Sequence, residues 1–188
     1  MLPDLLAAYH RRCATDSDIR EYLPVLHGYA RLYPCVRVLE VGVRSGNSTV
    51  AFLAAAQATG GHVWSVDIDD VRDRPGGIGQ WRDHPAWTFL QGDSTDAGVL
   101  AQLPERADVV FLDGDHGRQK VLDELAAYMP RLSPGGVALL HDTRIRWSGE
   151  PDGTWPVTRA LDEWCGAAGL HWQELPGAYG LGVVVTEW

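Results

Sequence analysis

Acids and histidines follow two apolar runs of the chain, where they could hold a metal ion. Asp113 and His116 come after the run 107–112, and His141 and Asp142 come at the end of a later run. If both runs are neighbouring parallel strands, about 4.8 Å apart, these side chains meet at one edge of a sheet. Asp113 and Asp142 could then share a cation, because two close carboxylates otherwise repel each other. Oxygen ligands favour Mg²⁺ or Mn²⁺, and the His141 imidazole would shift the preference towards Mn²⁺ or another transition metal.

An earlier glycine-containing loop predicts a binding site for a small ligand. It has the pattern E-x-G-x-x-x-G, from Glu40 through Gly42 to Gly46, between a predicted strand and a predicted helix. This spacing disfavours a nicotinamide dinucleotide, for which G-x-G-x-x-G is typical. Glycine lets the backbone approach a ligand closely, and N–H groups at the helix start attract an anion. An acid beside the loop suits a ligand that also carries an ammonium or another cation. The other candidate ligand contacts of the loop are Arg44, Ser45, Asn47 and Ser48.

Two more acids fall at the ends of the next two predicted strands. Asp67 could accept hydrogen bonds from both hydroxyls of a ribose. Asp93 could accept a hydrogen bond from the exocyclic amine of an adenine. Neighbouring candidates are Ile68, Gly92 and Ser94, with Asp69 and Asp70 as alternatives to Asp67.

Alternating strands and helices must position these residues. Short apolar runs predict strands at 36–41, 62–68, 87–91, 107–112, 137–141, 170–175 and 181–186. Helical periodicity separates most of them, which predicts an α/β fold: a Rossmann-like, doubly wound, mostly parallel sheet with helices on both faces. The turn between the last two strands is too short for a crossover helix. We therefore expect an antiparallel strand at the C-terminal end of this seven-stranded sheet.

The sequence predicts where each helix begins and ends. One covers 18–32, and Pro24 should delay its start or kink it. Asn47 or Ser48 is expected to cap a helix at 49–58. Two more are predicted at 119–132 and from Val157 to a stop at Gly169. Residues 1–34 are expected to form a helical segment that serves as a lid or a dimer surface.

Composition narrows the choice of partners. The net charge of the 188-residue chain is −9, and no Lys/Arg run could replace phosphate counterions, so no nucleic-acid partner is expected. The three cysteines are far apart and predict neither a disulfide framework nor a zinc site. No apolar run approaches the ~20 residues of a membrane span, and the N-terminus has no secretory pattern. We expect a cytoplasmic enzyme that acts without a membrane.

Four motifs in this order resemble class I methyltransferases that use S-adenosylmethionine (SAM). They are V-L-E-V-G-V-R-S-G-N-S, S-V-D-I-D, Q-G-D-S and D-V-V-F-L-D-G-D-H, at four successive strand ends. The resemblance covers about residues 36–185 and implies that 35–188 form a SAM-binding Rossmann-like methyltransferase domain. It implies that Glu40 and Gly42 line the methionine end, Asp67 holds the ribose, and Asp93 and Ser94 flank the adenine.

The later pattern, D-G-D-H followed by P-G-G-x-x-x-x-H-D, is similar to a subgroup of that class. The subgroup contains metal-dependent sugar and macrolide O-methyltransferases and cephalosporin-hydroxylase-like proteins. The similarity implies Asp113 and Asp142 as metal ligands and His116 as the base, so these three are the expected catalytic residues. His141 stands where the subgroup has an acid, which makes Asp113, His141 and Asp142 the candidate ligand set. Asp113 could instead orient the amine of the cofactor.

The implied reaction is O-methylation of a hydroxyl on a sugar, phenol or natural product, assisted by Mg²⁺ or Mn²⁺. Two segments rich in arginine, glycine and tryptophan, 70–85 and 143–156, should lie above the site and select this small-molecule acceptor. A homo-oligomer is compatible with the sequence. The alternatives are a non-catalytic SAM-binding protein, a nicotinamide oxidoreductase, or a hydroxylase whose iron is held by Asp113, His116 and His141.

Overall fold

Seven strands form one sheet at the centre of the molecule. The computed structural model describes residues 4–73, 77–146 and 155–187. Within them the strand order is β3-β2-β1-β4-β5-β7-β6. The strands are β1 (Arg37–Val41), β2 (His62–Asp67), β3 (Trp87–Gln91), β4 (Ala107–Leu112), β5 (Leu132–His141), β6 (Trp172–Leu175) and β7 (Leu181–Val185). The predicted fold class is confirmed.

The register of the sheet aligns the strand ends along one rim. Strands β1 to β5 pair in parallel, and β7 is antiparallel to both β5 and β6. One row of paired residues crosses the parallel part of the sheet: Leu90, Val66, Val41, Leu112 and Leu140. The residues that follow this row therefore share the carboxyl rim, where ligands bind in open α/β sheets.

Helices cover both faces of the sheet, as predicted. They are α1 (Leu5–Ala14), α2 (Leu23–Ala30), α3 (Asn47–Thr59), α4 (Ala97–Leu100), α5 (Arg118–Tyr128) and α6 (Pro156–Ala168). Successive strand residues point to opposite faces, so Val38 and Val109 pack with α1 to α3, and Leu39 and Val110 pack with α4 to α6. In the described part of the chain, no helix has the length and apolar character needed to cross a membrane.

Two helix starts differ from the sequence prediction. Gly46, in a left-handed conformation, occupies the cap position of α3, and no side chain caps this helix. The predicted cap by Asn47 or Ser48 was wrong, because tertiary hydrogen bonds occupy both side chains. Asn47 Oδ1 accepts from Arg12, and Ser48 Oγ donates to Glu40. The predicted helix at 18–32 is a short 3-10 turn followed by α2, which starts at Leu23 with Pro24 in its first turn.

Three other elements also differ from the sequence prediction: strand β5 starts earlier, and helices α1 and α4 are additional. Strand β5 begins at Leu132 rather than at Val137, because its first residue pairs with Ala107 before the register shifts. Helix α1 and the four-residue α4 were not predicted individually. Asp96 caps α4 by accepting hydrogen bonds from the N–H groups of Gly98 and Val99.

Candidate active site

A cavity of about 450 Å³ opens at the carboxyl rim of the sheet. Its size lies in the range of small-molecule sites. The lining comes from the loops after β1, β2, β3 and β4 and from the first half of α5. The lining residues are Val41, Gly42, Arg44, Val66, Asp67, Ile68, Asp69, Gly92, Asp93, Ser94, Asp113, Gly114, Asp115, Lys120 and Glu124. The predicted contacts after β2, β3 and β4 therefore meet in one place.

The loop after β1 packs tightly against the end of β4. Gly42 has φ +85°, and a Cβ there would overlap the backbone carbonyl of Asp113. Arg44 also has a positive φ, 49°, which is uncommon for a residue with a side chain. Asp67 holds the loop in this shape: its Oδ2 accepts hydrogen bonds from the N–H groups of Val43 at 2.8 Å and Arg44 at 2.9 Å. Asp67 thus shapes the loop and faces the cavity at the same time.

Glu40 lies beneath this loop and does not line the cavity. Its side chain is fully buried and accepts hydrogen bonds from Ser48 at 2.6 Å, Thr49 at 2.8 Å and Ser65 at 2.6 Å. Burial raises the pKa of Glu40 to about 7, although the three hydroxyls oppose the shift. The carboxyl group therefore ties β1 to β2 and to the start of α3, and it supports the loop from below.

The loop after β3 forms the far end of the cavity. Asp93 pairs with Lys120 and also accepts hydrogen bonds from Thr95, through its N–H at 2.8 Å and its hydroxyl at 2.7 Å. These donors keep the pKa of Asp93 well below its usual value. Ser94 is buried and donates to Glu124 at 2.6 Å. Sequence reasoning missed Lys120 and Glu124 as lining residues.

A cluster of two acids and two histidines lies at the ends of β4 and β5. His141 Nδ1 is 3.2 Å from Asp113 Oδ1 and 3.2 Å from Asp142 Oδ1. His116 Nε2 lies 3.0 Å from Asp142 Oδ2. Asp142 has φ 62°, a strained conformation for a non-glycine residue and one that recurs at functional sites. The four predicted residues are therefore brought together.

The charged groups of this cluster affect one another's pKa values. Burial alone would lower the pKa of His141, but its hydrogen bond with Asp113 and the charges of Asp113 and Asp142 raise the pKa above its usual value. Burial, reinforced by the charge of Asp113, raises the pKa of Asp142, and both histidines oppose that shift. A positive charge near Asp142 therefore favours the ionised form of its carboxyl group.

The cluster fits the requirements of a divalent cation. One ligand atom from each of Asp113, His141 and Asp142 lies within 4.8 Å of the others. Adjacent ligands of an octahedral Mg²⁺ are about 3 Å apart, close to the two 3.2 Å separations. Asp142 Oδ1 is buried and accepts no hydrogen bond from the described residues. A buried carboxylate oxygen without a donor is suited to a cation.

A smaller chamber of about 80 Å³ joins the loop after β1 to this cluster. It shares Gly42, Arg44, Asp113 and Gly114 with the larger cavity. The remaining lining residues are Ile19, Val43, Ser45, Asn47, Ser48 and His116. The loop contacts predicted from sequence, Ser45, Asn47 and Ser48, therefore face the chamber on the side of His116.

The N-terminal segment closes one side of the cluster. Asp18 forms an ion pair with Arg44, and the Tyr22 ring meets the His141 ring edge-on at 5.6 Å. The Tyr22 hydroxyl also accepts a hydrogen bond from the N–H of Gly180, at 2.9 Å. Residues before β1 thus contact both the glycine loop and the turn between β6 and β7.

The two segments expected to cover the site are described only in part. Arg74, Gly76 and Trp147 lie outside the described residues. Trp81, in the first of these segments, is fully buried and is therefore not available to contact an acceptor. Arg144 pairs with Glu174, whereas Trp155 has 43% of its surface exposed.

Comparison with known proteins agrees with this geometry. Residues 39–143, more than half of the chain, match the model of a family described as a methyltransferase domain. The chain therefore belongs to that family of methyltransferase domains. No curated protein matches it significantly.

Several solved structures share the fold. An O-methyltransferase from Bacillus cereus in complex with S-adenosylhomocysteine (SAH) is 15% identical, with a TM-score of 0.71 over 100% of this chain and 93% of the other. The O-methyltransferase TomG from Streptomyces achromogenes, solved with SAM, is 14% identical, with a TM-score of 0.70 over 99% and 91%. The mycinamycin-pathway methyltransferase MycE, solved with Mg and SAH, is 22% identical, with a TM-score of 0.66 over 100% and 56%.

Proposed function

We propose that this methyltransferase transfers the methyl group of SAM to a hydroxyl oxygen of a small molecule. The observation that carries the proposal is the junction of two sites. A cavity lined by acids from successive strand ends opens beside a cluster that pairs His116 with Asp142. A methyl donor in the cavity and a hydroxyl near His116 would meet at the shared residues Gly42 and Asp113.

The cofactor has a matching residue at each part of the cavity. Asp67 offers its carboxylate to the ribose hydroxyls, with Ile68 beside it. Asp93, Gly92 and Ser94 lie where the adenine would end. The methionine part would follow the loop after β1, past Gly42, Arg44, Ser45, Asn47 and Ser48. Gly46 lines neither space, and a Cβ there would overlap the Ile78 side chain. Glu40 acts from below as a positioning residue, because three hydroxyls occupy its carboxyl group.

His116 is the proposed base. The Asp142 carboxylate lies 3.0 Å from its Nε2 and can orient the imidazole, as an acid commonly does for a catalytic histidine. The acceptor oxygen forms a bond to the methyl carbon while the bond from that carbon to sulfur breaks. The hydroxyl proton goes to His116, and SAH leaves as a neutral sulfide. Alignment of the two reactants can supply several kcal/mol of the barrier reduction.

Asp113, His141 and Asp142 would hold a divalent cation. When bound there, Mg²⁺ or Mn²⁺ would lower the pKa of an acceptor hydroxyl by Lewis-acid polarisation. Asp113 belongs to both the cavity lining and the cluster, so it would fix the position of the acceptor relative to the cofactor. The Mg in the MycE structure supports this assignment by analogy of fold.

The proposed acceptor is a natural-product hydroxyl on a sugar or phenol. MycE has been solved with Mg, SAH and mycinamycin VI, and TomG takes part in tomaymycin synthesis. A location in the cytoplasm and a homo-oligomeric state stay predictions of the sequence. So does the assignment of residues 1–34 as a lid or dimer surface, which the ion pair of Asp18 with Arg44 supports on the lid side.

Ligand binding tests the proposal without knowledge of the acceptor. SAH should raise the melting temperature of the protein, because a ligand that binds only the folded state stabilises it. Asp67→Ala should abolish this rise, whereas Asp83→Ala, at an exposed position that does not line the cavity, should keep it. An unchanged rise in Asp67→Ala would refute the ribose assignment. No rise in the wild-type protein would refute the use of SAM.

A further inference from the structure

Glu124 is a buried acid at the far end of the cavity that the proposed reaction does not use. It lies on α5, has 1% of its surface exposed, and lines the cavity beside Ser94. Its Oε1 accepts a hydrogen bond from Ser94 Oγ at 2.6 Å. Its Oε2 accepts none from the described residues. Because the Glu124 side chain lines the cavity, a ligand that donates a hydrogen bond at this point would bind favourably.

The nearby Asp93 accepts its hydrogen bonds through Oδ1. Lys120 and two groups of Thr95 all donate to Asp93 Oδ1, and about half of the Asp93 side chain is exposed. Asp93 therefore closes the turn after β3 and neutralises Lys120. Of the two acids at this end, Glu124 is the more buried one and has the fewer donors.

Three residues of α5 fix this arrangement. Lys120, Glu124 and Tyr128 are spaced four apart, so they lie on one side of the helix. Lys120 binds Asp93 and Thr95, and the Tyr128 hydroxyl donates to the carbonyl of Ser94 at 3.0 Å. Both neighbours of Glu124 on this side thus hold the loop after β3 in place.

We propose that Glu124 recognises the 6-amino group of the adenine through Oε2. This assignment rests on the proposed use of SAM. The amino group would donate a hydrogen bond to the unsatisfied oxygen. A purine with a 6-oxo group would instead place an acceptor against that oxygen, and the resulting repulsion would weaken binding.

The state of the carboxyl group is consistent with this role. Burial raises the pKa of Glu124 to about 7, although the hydrogen bond from Ser94 and the charge of Lys120 oppose the shift. The ionised form is therefore poorly stabilised in the protein alone. A donor from the cofactor would provide the missing stabilisation.

Calorimetric titration with two ligands tests the assignment. The probes are SAH and S-inosylhomocysteine, in which a 6-oxo group replaces the 6-amino group and N1 carries a hydrogen. The wild-type protein should bind SAH about 10–100-fold more tightly, the size of one hydrogen bond to a charged group. In Glu124→Gln, the amide N–H can donate to a 6-oxo group, so the preference should fall below about threefold. Asp123→Asn, at an exposed position on the same helix, should keep the wild-type preference.

The possible outcomes separate this inference from the proposed function. Loss of the preference in Asp93→Asn together with its retention in Glu124→Gln would overturn the inference and leave SAM binding intact. A wild-type protein that binds neither ligand would overturn both. Glu124→Asp provides a second variant that keeps the charge but withdraws the oxygen by one methylene. It should lose most of the preference, and full retention would likewise contradict the role of Glu124.

Discussion

His116 and Asp142 form the contact on which the proposed chemistry depends. The imidazole is held 3.0 Å from the carboxylate and lines the chamber next to Gly42 and Asp113. Replacing it with glutamine would keep a polar side chain of similar reach but remove the base. We expect His116→Gln to lower kcat by about 10²–10⁴, the usual contribution of a general base. The dissociation constant for SAH should change much less than kcat, because His116 does not line the larger cavity.

His171→Gln is the matched control, since His171 is exposed beyond the end of α6. It should retain wild-type kcat with any acceptor that the enzyme methylates. A His116→Gln enzyme that turns over at the wild-type rate would show that another group takes the proton. Single-turnover rates are the appropriate measurement, because they report the chemical step without product release.

At the residue scale, the sequence identified the acids near the site more accurately than it predicted the role of each acid. Asp67 and Asp113 face the cavity as expected, because Asp67 ends β2 and Asp113 directly follows β4. Glu40 was expected beside the cofactor, but it lies below the loop, where it is held by two hydroxyls of α3 and one of β2. Glu124 escaped notice, because an acid in the middle of an amphipathic helix is usually solvent-exposed.

At the element scale, strands were predicted more accurately than helix ends. Strands β1 and β4 are mostly apolar, because both of their faces are buried along nearly their whole length. The helix starts depend on tertiary contacts that local spacing does not reveal. Ser48, a good capping residue, is used by Glu40, and Gly46 takes the cap position of α3 in a left-handed conformation. The four-residue α4 is too short to produce a periodic pattern.

The loop between β1 and α3 should tolerate little change at Gly42. Its φ of +85° disfavours any side chain, and a Cβ would overlap the Asp113 carbonyl. We expect Gly42→Ala to reduce the free energy of unfolding by about 1–3 kcal/mol and to weaken SAH binding. Urea denaturation and calorimetry measure the two effects.

A second glycine serves as the control for this substitution. Gly166 lies inside α6 with an open surrounding, and a Cβ there would contact nothing within 4 Å. Gly166→Ala should increase stability by about 0.5–1 kcal/mol, because alanine restricts the unfolded chain and favours the helix. It should leave SAH binding unchanged. Similar stability changes in both variants would mean that the loop conformation after β1 is not strained against β4.

At the scale of the whole molecule, the candidate site residues lie along one rim of the sheet. Five parallel strands end in register, so residues far apart in sequence meet beside one cavity. The alternation of strands and helices was enough to predict this convergence. The contacts of the N-terminal segment were not predictable in the same way, because the ion pair of Asp18 with Arg44 joins two loops that share no periodic pattern.

Because the chain is acidic, binding of a cation should stabilise the folded protein, and this stabilisation can be measured. The net charge is −9, and Asp113 and Asp142 add repulsion within a buried cluster. A cation held by Asp113, His141 and Asp142 would remove that repulsion in the folded state alone. At a cation concentration of about 100 times its dissociation constant, binding increases the free energy of unfolding by about 2.7 kcal/mol. For a chain of this size, that corresponds to a rise in melting temperature of about 5–10 °C.

We therefore expect Mg²⁺ or Mn²⁺ to raise the melting temperature of the chelator-treated protein, and EDTA to suppress turnover. Asp142→Asn should abolish the thermal shift, because it removes a charged ligand from the buried cluster. Asp83→Asn removes the same charge from an exposed position and should preserve the shift, which separates specific binding from general screening of the acidic surface. Full turnover in chelator, together with no thermal shift, would assign the cluster to hydrogen bonding. His141 would then neutralise Asp113 and Asp142, and His116 would act as the base without a metal.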